Sequence, residues 1–331
     1  MLQKLNQRLE KLMPFITPFS VVAGVLLGDV LSPYAFLVPW LFAFMTFSGS
    51  LSTGFREFRE VVSHPLPIFA VLIILHVLMP LLAWGAASSL FHGDAYTITG
   101  LVLGMVIPTG ITSFIWVSIY KGSIPLSLSI ILIDTLLSPF VVPSSLLLLV
   151  GTHVHIDVLN IMKGLLWMIA LPSLAGMMLN QLTRGGIKQS LGAKLAPFSK
   201  IAVGVVVGIN GAVVAPYLTH ITGKLISIAL LVVIMAAVGY ALGWGISRLL
   251  KWERDISVSM MFNGGMRNIS GGAVLAVAYF SPPAAIPVVI GMLFQQMLAS
   301  FFGALADKYY SRRAGLRRKP VAVDRKQVIR S

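Results

Sequence analysis

The 331-residue chain is 57% hydrophobic and 11% charged, with a mean hydropathy of +0.89. That excludes a water-soluble domain, which could not keep so much apolar side chain away from water. The formal net charge of +14 does not point to nucleic acid, because Lys and Arg gather in alternate loops and near the C-terminus. Cysteine is absent, so disulfides and thiolate metal sites are excluded too.

From the N-terminus, residues 1–13 form a charged, amphipathic cytoplasmic segment with no small-residue cleavage site after a short apolar core. Apolar length then predicts ten spans, near 14–31, 35–54, 65–90, 97–120, 125–149, 157–181, 198–218, 224–250, 256–279 and 283–306. Arg56 and Arg59, Lys121, Arg184, Lys188, Lys194 and Lys200, and Arg248, Lys251 and Arg254 fall on one side. The opposite loops, around Ser32, His92–Tyr96, His153–Asp157, Thr219–Lys224 and Ser281, hold a single Lys. The alternation predicts a multi-pass plasma-membrane protein with both termini in the cytoplasm. Residues 307–331 read as a basic cytoplasmic tail, polar and disordered from Lys308 onward.

A faint internal repeat relates residues 14–150 to 156–306. Ala23-Gly24 matches Ala175-Gly176, and Leu82-Ala83-Trp84-Gly85 matches Leu242-Gly243-Trp244-Gly245. Five spans per half is odd, so the second half enters the membrane inverted. Two corresponding spans should be broken. Pro108 removes a donor and pushes Ile107 out of the α region, while Asn263-Gly264-Gly265 loosens the ninth span just before Arg267-Asn268. Paired broken helices in the two halves point to a secondary transporter's binding site.

In such a pair the second halves present their N-termini near the midplane, where unsatisfied N–H groups favour an anion. Thr109, Thr112, Ser113, Asn263 and Asn268 supply side-chain hydrogen bonds there. The plainer reading is that such residues bond neighbouring helices. Arg267 and Asp134 are the two charges deep within spans. They read as a buried ion pair, as a proton site at Asp134, or as a fixed cation beside substrate. His76 in the third span is a helix-packing histidine or a proton carrier. Lys163 and Asp29 lie close to span ends, and the Met residues read as core filling. Phosphate loops, metal-ligand sets and triad spacings are missing, so the chain does not read as an enzyme.

The segment Pro108-Thr109-Gly110-Ile111-Thr112-Ser113, with Ser127, Ser138-Pro139 and Asn263-Gly264-Gly265-Met266-Arg267-Asn268, resembles the bile acid:sodium symporter family over about residues 10–306. The resemblance implies an all-α polytopic fold of ten transmembrane helices as two inverted five-helix repeats. Spans 3–5 and 8–10 would form a core domain and spans 1, 2, 6 and 7 a panel domain, with spans 4 and 9 broken and crossing. It places substrate between panel and core, close to Asn268 and to Gln295 and Gln296. It also assigns ion coupling to the positions of Ser113, Ser127, Asn263 and Met266. The sequence departs from that pattern at several of its sodium ligands. Phe114 stands where relatives have Asn, Ile131 where they have Thr, Asn263 where they have Glu and Arg267 where they have Gln. A further family Gln falls near Leu75 or His76. Carbon side chains do not replace oxygen around a hard cation, and Arg has the wrong sign.

The reading that results is a secondary transporter of an organic anion, bile-acid-like or a small carboxylate such as pantoate, working by alternating access. It needs no cofactor beyond a coupling ion, sodium or proton, and no obligate protein partner; uniport is the third option. A sodium-coupled symporter with a reduced site, a channel and a non-transporting receptor are the competing readings.

Overall fold

A computed structural model describes residues 2–54, 65–152, 154, 156–218 and 221–317. Arg56 and Arg59, and positions 153, 155 and 219 of the opposite loops, lie outside the described residues. Every named element is helical. Helix α1 is Leu2–Leu26 and α2 is Val38–Ser50. The third span joins α3 (Pro65–Ile73), a π-helical turn Ile74–Leu78 and α4 (Met79–Leu90). The fourth is split into α5 (Ala95–Val106) and α6 (Ser113–Ile119), and α7 is Ile124–Val150. The sixth joins α8 (Val158–Leu165) to α9 (Leu171–Leu182) through a second π turn. Helices α10 (Ala193–Leu218) and α11 (Gly223–Leu249) follow. The ninth span is split into α12 (Arg254–Gly265) and α13 (Ile269–Tyr279), and α14 is Pro282–Arg317.

Among the described residues seven helices are long and apolar enough to cross a bilayer, and three shorter apolar ones cover Phe15–Leu26, Ala95–Val106 and Ile269–Tyr279. Two of those three are short because their spans are broken as predicted. Phe15, Phe19, Trp40, Phe69, Leu148, Trp167 and Phe301 point outward and exposed, which suits lipid and not water. Starts are marked by side-chain caps: Asp94 on Thr97, Ser123 on Leu126, Asp157 on Asn160 and Thr222 on Leu225. Each satisfies a helix N–H that apolar surroundings would otherwise leave bare.

The first part of the basic tail is helical. No proline interrupts the chain between Pro287 and Pro320, so α14 continues past Lys308 to Arg317. Residues 318–331 lie outside the described residues. Arg254 Nη2 meets Asp307 Oδ1 at 2.9 Å and ties α14 to the start of α12.

Helix α1 packs on α10, and α2 packs on α9 and α10. A Cβ at Gly24 would overlap the Gly208 carbonyl, so bare backbone lets α1 and α10 meet at that point. On the other side α11 packs on α12, α14 on α5, α11 and α13, and α5 on α4 and α7.

Candidate functional site

The two breaks meet. Ile107 is extended (ψ 148°) ahead of Pro108, and Met266 is extended (ψ 131°) after the two glycines. Thr109 and Arg267 form an antiparallel bridge. Gly110 N donates to Met266 O at 3.3 Å, and Asn268 N to Pro108 O at 2.8 Å. The open backbone of each break thereby satisfies the other, as the bilayer interior requires. A Cβ at Gly110 would lie 2.8 Å from the Arg267 carbonyl, so this approach needs glycine.

Thr109 is buried and donates Oγ1–H towards the carbonyls of Asn263 and Met266, both at 3.0 Å. Asn263 sits at the centre of a second set. Its Oδ1 accepts from Ser113 Oγ at 3.0 Å and Ser127 Oγ at 3.2 Å. Its Nδ2 donates to Ser127 Oγ and to the Ser259 carbonyl, both at 2.8 Å. One neutral amide thus ties α6, α7 and α12 together. Asn268 caps α13, its Oδ1 accepting from Gly271 N at 3.2 Å.

Of the three readings of Asp134 and Arg267, the direct ion pair is not formed. Asp134, fully buried in α7, has Oδ1 2.5 Å from His76 Nε2, and its Oδ2 accepts the Thr109 N–H at 2.6 Å. His76 thus hydrogen-bonds across to α7. It belongs to the π turn Ile74–Leu78, which ends two residues before Pro80, a residue with no N–H to donate back along the helix. Asp134 acts on Arg267 through space only.

Arg267 is 3% exposed, and its Nη1 and Nη2 find no hydrogen-bond partner among the described residues. The backbone N–H of Arg267 donates to Gln295 Oε1 at 3.0 Å. Arg267 and Gln295 line a small cavity of 20 Å³ with Gly100, Gly104, Gly291 and Phe294, about room for one water. Phe294 also lines a larger apolar cleft of 380 Å³ between α1, the end of α10, α11 and α14.

The crossing thus brings together Thr109, Ser113, Ser127, Asp134, His76, Asn263, Met266, Arg267, Asn268 and Gln295. Gln296 is elsewhere engaged: its Oε1 accepts from Trp116 Nε1 at 2.9 Å, beside a stack of Trp116, Tyr120 and Phe262. Thr112 sits at the start of α6 and makes no side-chain cap. Ser259 and Phe294 were not legible as site residues, although Ser259 lies one helical turn before Asn263. Asn210 of α10 is buried with neither amide atom bonded among the described residues.

The Ser127 oxygen and the Ser259 carbonyl accept from Asn263 Nδ2, Ile131 and Phe114 bring only carbon, and Arg267 adds a positive charge. Groups of three or more His, Cys, Asp or Glu suited to a metal are absent among the described residues.

Broken helices bridged at their breaks, inside an apolar helical bundle, define the class of membrane carriers. The chain belongs to the Sodium Bile acid symporter family, whose profile matches residues 39–221. It is 50% identical over 297 residues to YbaS of Bacillus subtilis (strain 168), a protein described as uncharacterized, covering 90% of this chain and 97% of that one. It is 26% identical over 279 residues to the uncharacterized sodium-dependent transporter YocS of the same organism, covering 82% and 85%. Similarity to the probable sodium/metabolite cotransporter BASS1, chloroplastic, of Arabidopsis thaliana is 26% over 294 residues, covering 87% and 72%.

Proposed function

We propose that the protein is a secondary transporter of an organic anion in the plasma membrane, working by alternating access. The observation that carries this is Arg267: a buried guanidinium at the helix crossing with two nitrogens that lack a partner among the described residues. A charge held that way asks for an anion, and a carboxylate or sulfonate supplies matching oxygens. The apolar cleft on the far side of Phe294 would take the body of such a molecule, which favours an amphiphilic anion over a small one. The small cavity at Arg267 leaves room for the head group only once neighbouring helices part, which is what a carrier's rocking motion provides.

The ten-span, inverted-repeat arrangement belongs to the same reading. The packing of α1, α2, α9 and α10 on one another supports a panel, and that of α4, α5, α7, α11, α12 and α14 supports a core. Both termini are assigned to the cytoplasm from the basic loops.

Thermal unfolding of the purified protein against the potassium salts of taurocholate and pantoate tests the reading. A ligand that binds the folded state alone raises the unfolding temperature, the stabilisation growing as RT ln(1 + L/Kd) with L the free ligand concentration. Stabilisation by taurocholate that exceeds that by pantoate is the expected result. If neither anion stabilises the protein or enters proteoliposomes containing it, the reading fails.

A further inference from the structure

We propose that His76 and Asp134 together bind the proton that drives transport, so that the carrier is a proton:anion symporter; this rests on the transport reading above. The pair is built into the crossing. Asp134 is fully buried, one oxygen meets His76 Nε2 at 2.5 Å, and the other accepts the N–H of Thr109, the residue bridged to Arg267. A carboxylate only accepts, so Nε2 carries a hydrogen and Nδ1 of the neutral ring is a lone pair. That Nδ1 is buried and has no hydrogen-bond partner among the described residues. It is the place where an arriving proton lands.

The step is simple to balance. A hydronium ion gives its proton to Nδ1 and leaves as water, and the imidazole becomes an imidazolium paired with Asp134. No covalent bond other than N–H and O–H changes. The charge of the pair rises from −1 to 0, while Arg267 holds its +1. Before uptake the three groups sum to zero and Asp134 offsets the attraction of Arg267 for an anion. After uptake they sum to +1, and a bound monoanion restores neutrality. Proton and anion therefore favour each other, and by linkage each raises the affinity for the other equally.

The surroundings leave this pair in charge of the response. Helices α3, α5 and α6, which lie around the pair, carry no charged side chain, and α4 likewise carries none. Lys163 on α8, Lys224 and Arg248 on α11, and Arg254 and Asp255 on α12 sit near their helix ends, and the Tyr240 hydroxyl of α11 is turned to the Gln295 carbonyl. Tyr96 and Tyr120 lie at the outer ends of the fourth span. Among the described residues Arg267 is the charge facing Asp134 from the second break. His76 also sits on a π turn, a local irregularity that packing can reshape at small cost, so its protonation can be felt by the whole third span.

The experiment uses proteoliposomes of the full-length protein filled with a pH-sensitive dye, with potassium and valinomycin clamping the voltage. Potassium taurocholate and potassium pantoate are added outside in separate runs, and protein-free liposomes serve as the control. Anion entry accompanied by internal acidification is expected, with uptake about tenfold more sensitive to anion at pH 6 than at pH 8. His76→Gln and Asp134→Asn should abolish the acidification and flatten the pH profile; the Asn side chain keeps an acceptor for Thr109. Histidine nitrogen resonances of the wild-type protein, assigned with His76→Gln, should show His76 Nδ1 gaining a proton when taurocholate is added. Anion uptake without proton movement, or His76 resonances that stay unchanged on adding taurocholate, overturns the proton site and leaves the transporter intact. If neither anion is carried at any pH, the transport reading falls and the proposal with it.

Discussion

Replacing Arg267 by Gln separates stability from function in a way few substitutions do. In the protein without ligand, the guanidinium is 3% exposed and two of its nitrogens have no partner among the described residues. An unpaired buried charge costs several kcal/mol even after relaxation. The neutral Gln removes that cost, less the attraction of Asp134 that Arg267 gives up, and the backbone N–H that Gln295 accepts is untouched. Arg267→Gln should therefore unfold at a higher temperature than the wild type, by about 2–4 °C for each kcal/mol recovered. Anion binding should move the other way. Truncating a buried, hydrogen-bonded charge costs about 2–5 kcal/mol, or roughly 30- to 4000-fold in affinity at 1.4 kcal/mol per decade. Both effects are read in one assay: unfolding temperature against taurocholate concentration, for wild type and variant. A variant that is destabilised without ligand, yet shifts with taurocholate as the wild type does, would refute the tethered-cation role.

Sodium should matter little. Exchanging sodium for potassium at constant ionic strength should change taurocholate affinity by less than about twofold, because Asn263 Nδ2 holds the oxygens that a cation would need; a strong sodium requirement contradicts this. The absence of native cysteine makes topology easy to test. A cysteine placed at His92 should react with an impermeant maleimide in intact cells, whereas one at Arg184 should react only after permeabilisation, and the reverse pattern would invert the assignment. At the start of α5, partial burial raises the Asp94 carboxyl, but its bonds to Lys224 and Thr97 outweigh this and hold it below its usual 3.8. A depressed folded value adds stability above pH 3.8 that is lost as pH falls through the folded value. Asp94→Ala should thus destabilise the protein at pH 7 by about 1 kcal/mol for the lost cap, read as a lower unfolding temperature. The gap to wild type should narrow below pH 3.8, and a gap that persists unchanged there would show that the charge contributes nothing.

What the sequence could and could not reveal follows from the range of the interactions. Both breaks were legible because their causes are local: Pro108 acts on Ile107, and Gly264-Gly265 act on their own backbone. The apolar lengths were legible because the bilayer fixes them. Asp134 and Arg267 stand out as charges in apolar runs, but their partners stay open in the sequence, since side-chain contacts across three helices depend on helix rotation that no spacing encodes. His76 lies 58 positions from Asp134, and only the packed fold brings its Nε2 to the carboxylate. Gln295 and Gln296 part company for a related reason. Gln295 and Gln296 are sequence neighbours about 100° apart on α14, so one reaches the Arg267 backbone while the other turns to Trp116. The late end of α14 shows that polarity alone does not stop a helix.

Asn263 and Arg267 together suggest why the coupling chemistry of this chain should differ from a sodium carrier's. A cation that joins several helices through their oxygens holds them only while it is bound, and its arrival can therefore switch the protein. Asn263 makes the same connections between α6, α7 and α12 with an amide that never leaves. A permanent link holds the crossing together but cannot report a gradient. Arg267 is permanent in the same sense, because a guanidinium does not give up its proton under ordinary conditions. If both are fixed, the ion that couples transport to a gradient must act on a group able to change charge. His76 and Asp134, joined to the first break through Thr109 and to Arg267 through space, are the described residues at the crossing that can do so.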